Sequence, residues 1–513
     1  MIRTDLIAPL AELLPRQARA FGAKTAFEDA ARSIDYSHLN DEVAALATHF
    51  RDRGIEPGGT VGIWLPNSVD WVVAALAAIR AGAIAVPIAH DAKHNEMAYR
   101  VRDAAISLIV TSVGNSKALE ALGDECPDAI IYADGGDEPA AFATLCASPA
   151  RGVELAQDDI DAVSMIVYTS GTTGQPKGVM LTTRSMLWVN AACWAPIFGL
   201  GPDDVVLSPL PLFHSYALNF CVLSIVANGA SEYVMERFST QEALALLGTN
   251  RFTKMPGVPT MFHYLMLAAK EAGINPFESV DRCVSAGAIL PAALNNQFED
   301  YFGVELLDGY GITETSTMVT MNWPGQGRIP GSCGLPLPGL AVRIVDPGSG
   351  KDVTQGGEGE LIVRGPNVMK GYHAKPDATE AALRDGWYHT GDLARANPSG
   401  FLTITGRLKE LIIRGGQNIS PAEVEETVQK MEGVIDCAIV GVAHETLGEV
   451  PVAFIVAREA MPEMQQVKEF CLQTLSSYKL PHDLVRIETI PRTGSGKVLR
   501  YRLREIYELN QKN

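Results

Sequence analysis

From residue 36 to residue 310, short apolar runs alternate with segments of helical apolar spacing, and this alternation restricts the fold more than any other feature. Segments 36–53 and 68–81 carry apolar residues at helical period, while IAVPI (84–88) and SLIVTS (107–112) are apolar runs of strand length. The pattern continues with a helix near 94–103, a strand at 106–111, a helix at 116–122 and a strand at 129–132. MIVYTS (165–170) is a further strand. A second series covers 182–310: helices at 182–197, 217–228, 240–249, 259–271 and 291–302, with strands VVLS, SEYVM, FTKMP and CVSAG between them. Strand alternating with helix predicts an α/β fold with parallel sheets, here in two subdomains. From about 330 the texture changes to Gly/Pro-punctuated strands (AVRIVD, GELIVRG, FLTITG), predicting a small antiparallel, β-barrel-like subdomain. After GRLKELIIRGG (406–416) comes a compact α+β unit with helix 421–431, strands near 434–442 and 450–457, and helix 464–475. The expected division is a large domain over 1–406 and a small one over 407–513.

Composition excludes several function classes. A formal charge of −18 opposes nucleic acid as a partner, because phosphate backbones demand a Lys/Arg surplus. The eight cysteines are scattered without CxxC or Cys/His ligand spacing, which predicts free thiols in a reducing cytoplasm. WVVAALAAIRAGAIAVPIA (71–89) is the most membrane-like window, but Arg80 interrupts it and Gly82 and Pro87 mark a turn, so a buried helix and strand are expected. The N-terminus has no signal-peptide pattern. A cytoplasmic protein without membrane insertion is expected, and self-pairing into a homodimer is compatible with the chain.

MIVYTS runs directly into YTSGTTGQPKG (168–178), a run too poor in apolar side chains to be core. Its glycines let backbone N–H groups converge, its hydroxyls add donors and Lys177 adds charge, so the loop suits a phosphate chain. GxxxxGK[ST] is not the pattern here, since Gly178 follows Lys177. The strand end is where open α/β sheets place ligands. Three other stretches carry chemistry. DGYGITET (308–315) sets Tyr310 between glycines, so that its face is free for a heterocycle, and follows it with Thr313 and Glu314, the latter a carboxylate suited to Mg²⁺ near triphosphate. WYHTGD (387–392) ends in Asp392, a carboxylate able to accept from two ribose hydroxyls. PRTGSGKVLR (491–500) puts Lys497 after a Gly-Ser-Gly hinge. Taken singly, these three also fit a tight turn, a turn aspartate and a solvated basic tail.

In this order and spacing the four stretches resemble the acyl-adenylate-forming superfamily, which includes acyl-CoA synthetases, luciferase-like enzymes and peptide-synthetase adenylation domains. The resemblance runs from about residue 20 to the end. It implies that Thr169, Ser170, Gly171, Thr172, Thr173, Gly174 and Lys177 contact the ATP phosphates. Tyr310 would stack on adenine, with Gly287, Ala288, Asp308, Gly309 and Gly311 around it. Thr313 would bind the α-phosphate, Glu314 would hold Mg²⁺, and Asp392 and Arg407 would take the ribose hydroxyls. Lys409 would be the interdomain hinge of a mobile C-terminal domain, and Gly415 and Gly416 would edge the pantetheine tunnel.

The mechanism implied has two half-reactions. A carboxylate attacks the α-phosphorus of MgATP to give acyl-AMP and pyrophosphate, with Lys497 offsetting the accumulating negative charge. The small domain then rotates to admit a thiol. PLFHSYALN (211–219) most resembles 4-coumarate–CoA ligases and related synthetases, which implies CoA as the acceptor. His214 would gate the thiol tunnel, Tyr216, Phe220, Val284 and Ala286 would line the acyl pocket, and Arg237 would hold CoA phosphates. The chain departs from the family pattern at Ile289, where proline is common, at Val284, where hydroxycinnamate ligases tend to have lysine, and at Gln417, where many synthetases have glutamate. A mainly apolar pocket suits an aromatic or medium-chain acid. The expectation is an AMP-forming carboxylic acid–CoA ligase. The competing readings are an acyl-AMP ligase loading a separate carrier protein and a non-catalytic nucleotide-binding relative.

Overall fold

The computed structural model describes residues 1–127, 129–134, 141–148, 159–169, 176–458, 460–492 and 497–512. Among these residues the strands form four sheets. The first runs Gly371–Tyr372, Lys177–Thr182, Val163–Thr169, Ile84–Pro87, Thr60–Trp64, Leu108–Thr111 and Ala129–Tyr132. Its last five strands are parallel, and Lys177–Thr182 turns back antiparallel on Val163–Thr169. The helix Val69–Arg80 explains the membrane-like window. Ser68 caps it by accepting from Trp71 N (3.1 Å), and every residue from Val69 to Ile79 except Asp70 is buried. A helix apolar on nearly all sides belongs between layers. No helix among the described residues is long and apolar enough to cross a membrane.

The second sheet joins both ends of the large domain. Its order is Leu335–Pro336, Thr320–Met321, Glu305–Tyr310, Arg282–Ser285, Lys254–Gly257, Val205–Ser208, Ser231–Val234, Thr25–Glu28 and Ser33–Asp35. Pairing is parallel from Glu305–Tyr310 through Thr25–Glu28 and antiparallel at both edges. Thr25–Glu28 and Ser33–Asp35 form a hairpin that the sequence pattern did not reveal, and it docks against strands some two hundred residues later. Two expected regular helices also differ. Thr183–Val189 widens into a π-helix over Asn190–Phe198, and a second π-helix spans Leu218–Ser224. Such widened turns cluster at functional sites. These two face each other, with Trp194 and Phe220 ring centroids 4.8 Å apart.

The Gly/Pro-punctuated region is an antiparallel sheet of Ala341–Val345, Gly359–Arg364, Trp387–Ala396 and Leu383–Arg384, with Leu402–Arg407 paired to Trp387–Ala396. The C-terminal unit centres on the antiparallel pair Val434–His444 and Gly448–Ala457. Ile412–Arg414, Gln417–Ile419 and Asp483–Arg486 complete its sheet, against helices Pro421–Val428, Met464–Cys471 and Arg500–Lys512. All eight cysteines are free thiols; seven are buried and Cys126 is partly exposed.

Candidate active site

Thr169 and Lys177, which flank the glycine-rich run, pair with each other across two antiparallel strands. Ser170, Gly171, Thr172, Thr173 and Gly174 lie outside the described residues. The base of the hairpin is braced from the helix His94–Asp103. Tyr168 donates to Asp103 Oδ2 (2.7 Å), Tyr99 donates to the Pro176 carbonyl (2.8 Å), and Lys375 pairs with Asp103 at 3.4 Å. Lys177 Nζ lies 4.6 Å from the Tyr372 ring centroid, and the Tyr372 hydroxyl donates to Glu314 Oε1 at 2.9 Å. Two expected ATP-site residues are thus joined through a tyrosine that no motif signalled. Tyr372 reaches them by pairing with Val179 on the returning strand.

Asp308, Gly309 and Tyr310 end the strand Glu305–Tyr310, while Gly287 and Ala288 sit exposed just past its neighbour Arg282–Ser285. The glycines beside Tyr310 also stand where the folded chain is crowded. A Cβ on Gly311 would lie 1.5 Å from the Thr317 carbonyl oxygen, and one on Gly309 would lie 2.3 Å from Met318 Cε. At Gly311 the backbone of the turn after the strand leaves no room for a side chain, and at Gly309 the Met318 side chain fills the space. Tyr310 itself is buried and donates to Asp392 Oδ2 at 2.5 Å.

Asp392 is only 3% exposed, within the strand Trp387–Ala396 rather than in a turn. Its other oxygen pairs with Arg407 Nε at 3.0 Å across the strand pair. Burial pushes this carboxyl above the usual range, and Arg407 holds part of the rise back. Lys497 is partly buried beside the same group, which removes the solvated-tail reading. Burial and Arg407 lower its pKa, while Glu410 and Asp392 act in the opposite direction. Arg500 locks this end of the chain by pairing with Glu410 (3.0 Å) and Glu425 (2.5 Å). Tyr310, Asp392, Arg407 and Lys497 therefore form one electrostatic cluster drawn from both domains.

Thr313 and Glu314 occupy a single 3-10 turn, and Thr313 Oγ1 is 3.1 Å from Ser215 Oγ. Burial raises the Glu314 pKa, with Tyr372 among the groups opposing the rise. His214, just before Ser215, packs against Phe213, and burial with the nearby Arg100 cation lowers its pKa to about 4. It is neutral at pH 7. Arg100 lies 5.8 Å over the Tyr168 ring and was invisible in the sequence, since it reads as one more charge on an amphipathic helix.

The expected acyl-pocket residues converge. Tyr216 donates to the Val284 carbonyl (3.3 Å), and Val284, Ala286 and Phe220 are buried. Trp194, which sequence reasoning missed, stacks on Tyr216 with centroids 6.1 Å apart and planes 20° from parallel. Its indole N–H donates to Asn219 Oδ1 at 2.8 Å, which fixes the ring. Arg237 is exposed beyond the strand Ser231–Val234. Lys409 is exposed in the short turn Leu408–Glu410, between the strands Leu402–Arg407 and Ile412–Arg414. Gly415 and Gly416 form the turn between Ile412–Arg414 and Gln417–Ile419, and Gly415 N donates to the Leu447 carbonyl (2.7 Å).

Comparison with known proteins accounts for nearly the whole chain. Residues 14–373 match the AMP-binding enzyme family, and residues 423–497 match the AMP-binding enzyme C-terminal domain. The chain is 31% identical over 498 residues to a feruloyl-CoA synthase of Amycolatopsis sp, covering 95% of this chain and 97% of that one. It is 34% identical to a sulfoacetate–CoA ligase of Cupriavidus necator, covering 93% of each. An anthranilate CoA ligase solved with anthranoyl-AMP superposes with a TM-score of 0.91 over the full length of both chains, at 25% identity.

Proposed function

The chain belongs to the AMP-binding enzyme family and is an AMP-forming acyl-CoA ligase, and from that premise we propose how its residues divide the work. The carboxylate oxygen of the acid attacks the α-phosphorus of ATP, the bond to the bridging oxygen breaks, and pyrophosphate leaves. The CoA sulfur then attacks the acyl carbon, and AMP departs with the electron pair. What supports Lys497 as the cation of the first step is its place beside Asp392 and Arg407, the proposed ribose clamp. That single observation carries the assignment of residues. Two anions must approach each other in this step, and a cation in a water-poor site offsets their repulsion most where charge accumulates. A neutral His214 adds no further cation to the reacting region, as suits a gate between acyl and thiol paths.

Mg²⁺ fits as a bound ion. Glu314 offers a hard oxygen donor held by Tyr372, and Mg²⁺ is ordinarily bound by one or two carboxylates together with substrate phosphates. The ion would supply charge neutralisation on the triphosphate. Lys177, fixed over Tyr372, is assigned to the leaving phosphates, Thr313 to the α-phosphate and Tyr310 to the adenine pocket. The proposed boundary falls at 406/407, with Lys409 as hinge, and Arg237, Gly415 and Gly416 are assigned to CoA. The aromatic wall of Trp194, Tyr216 and Phe220 suits an aromatic or medium-chain acid. A panel of such acids scored by AMP release, with free CoA against a phosphopantetheinylated carrier protein, tests the function. Faster release with the carrier would replace CoA as the acceptor, and no release with any acid would remove the ligase reading.

A further inference from the structure

Glu232 occupies a position where a carboxyl is costly. It lies on the strand Ser231–Val234, paired parallel to Val206 on one side and Phe27 on the other. Parallel strands flanked on both sides are normally apolar on both faces. Glu232 is 1% exposed, and neither of its carboxyl oxygens has a hydrogen-bond partner. Burial pushes it well above the usual carboxylate range, which favours the protonated acid. Ser208, at the end of the adjacent strand Val205–Ser208, is fully buried and close enough to act on both the Glu232 carboxyl and the Cys221 thiol, yet its hydroxyl closes no hydrogen bond of normal geometry with either. Tyr36 is near, but its hydroxyl is committed to the Ile225 and Ala230 carbonyls (3.1 and 2.6 Å). A buried polar group left unpaired is destabilising until something pairs with it.

These groups adjoin the acyl wall. The alternation of the strand puts Glu232 on the same face as Val234, and Val206, its cross-strand partner, shares a core with Val234, Trp194 and Phe220. Cys221, next to Phe220 on the π-helix, lies within electrostatic reach of both Glu232 and Tyr216. Cys221 thus links the aromatic cluster at Tyr216 to the polar pair Glu232 and Ser208.

We propose that Glu232 and Ser208 form the polar end of the acyl pocket and receive a hydroxyl that the acid carries remote from its carboxylate. This rests on the ligase reading and narrows it. The protonated Glu232 offers an O–H donor and a carbonyl acceptor, and Ser208 offers one more of each. A hydroxyl satisfies them together, whereas a deoxy acid leaves them unpaired. Sites built this way reject the analogue lacking the hydroxyl far more strongly than an apolar pocket rejects an extra one.

Two matched pairs test the proposal: 6-hydroxyhexanoic against hexanoic acid, and 3-(4-hydroxyphenyl)propanoic against 3-phenylpropanoic acid. The readout is kcat/KM for CoA-dependent AMP release. The wild type should favour the hydroxylated member of at least one pair by about 100-fold or more. Glu232→Leu should bring that ratio to within about threefold of one, and Glu232→Gln, which keeps a donor and an acceptor, should retain most of it. Thermal melting of each variant with and without ATP checks folding, and Ser208→Ala gives the same test should Glu232→Leu fail to fold. A wild-type ratio below tenfold in both pairs, or a ratio unchanged in Glu232→Leu, overturns the proposal. Turnover of other acids but of neither pair overturns it alone, whereas no AMP release with any carboxylic acid overturns the ligase reading as well.

Discussion

Tyr310 donates its hydroxyl to Asp392 at 2.5 Å, joining two motifs 82 residues apart in the proposed nucleotide site. The bond fixes both partners. Asp392 presents its second oxygen to Arg407. Because Asp392 is buried, removing it outright would also strip Tyr310 and Arg407 of a partner.

Asp392→Asn is therefore the better probe of the ribose assignment. It keeps the shape and one acceptor while removing the charge. Losing a charged acceptor costs roughly 1.5–3 kcal/mol, so the dissociation constant for ATP should rise about 10- to 100-fold. Calorimetric titration on a variant with a cooperative melting transition checks this. Unchanged affinity would reject the assignment.

Lys497→Ala should slow acyl-AMP formation by about 10²–10³, since a contact made only as charge accumulates acts on the transition state. The affinity for ATP should change little. Given presynthesised acyl-AMP, the same variant should pass its acyl group to CoA at nearly the wild-type rate. A variant equally slow in both half-reactions would refute the two-conformation scheme.

Lys409→Pro addresses the linker. Proline fixes φ near the value a short helical turn uses, so the arrangement with Lys497 beside Asp392 should survive. The swing to the thiol-accepting state should not. Pyrophosphate exchange is expected to persist while thioester formation from acyl-AMP falls. Equal loss of both would move the hinge elsewhere.

His214 gives a pH dependence whose sign is fixed by its environment. Its folded pKa is about 4, below the ordinary histidine value, so between pH 6.5 and 4 the unfolded chain binds a proton that the folded chain does not. The stability associated with a neutral His214 is present above pH 6.5 and is lost as pH falls towards 4. Between pH 7.5 and 4.5 the wild type should lose roughly 1–3 kcal/mol more than His214→Gln, measured by denaturant unfolding. Parallel pH curves for the two proteins would contradict the half-buried, cation-flanked histidine.

The sequence by itself determined the alternation of strand and helix and the place of the glycine-rich run after a strand, and its short motifs single out Lys177, Glu314, Asp392 and Lys497 as the residues proposed to carry the chemistry. These depend on near neighbours: apolar period, turn residues and short motifs are written within a few positions of each other. Tertiary structure alone decided what depends on distant chain. Thr25–Glu28 joins a sheet whose other strands lie about two hundred residues away, and a parallel pairing leaves no local turn to announce it. Arg100 and Tyr372 look like ordinary amphipathic and loop residues until folding sets them beside His214 and Glu314. The glycines around Tyr310 answer to the carbonyl of Thr317 and the side chain of Met318, which only the folded turn brings close. Glu232 carries no sequence signal at all. What makes it informative is desolvation without a partner, and burial is a property of the packed molecule rather than of any stretch of its chain.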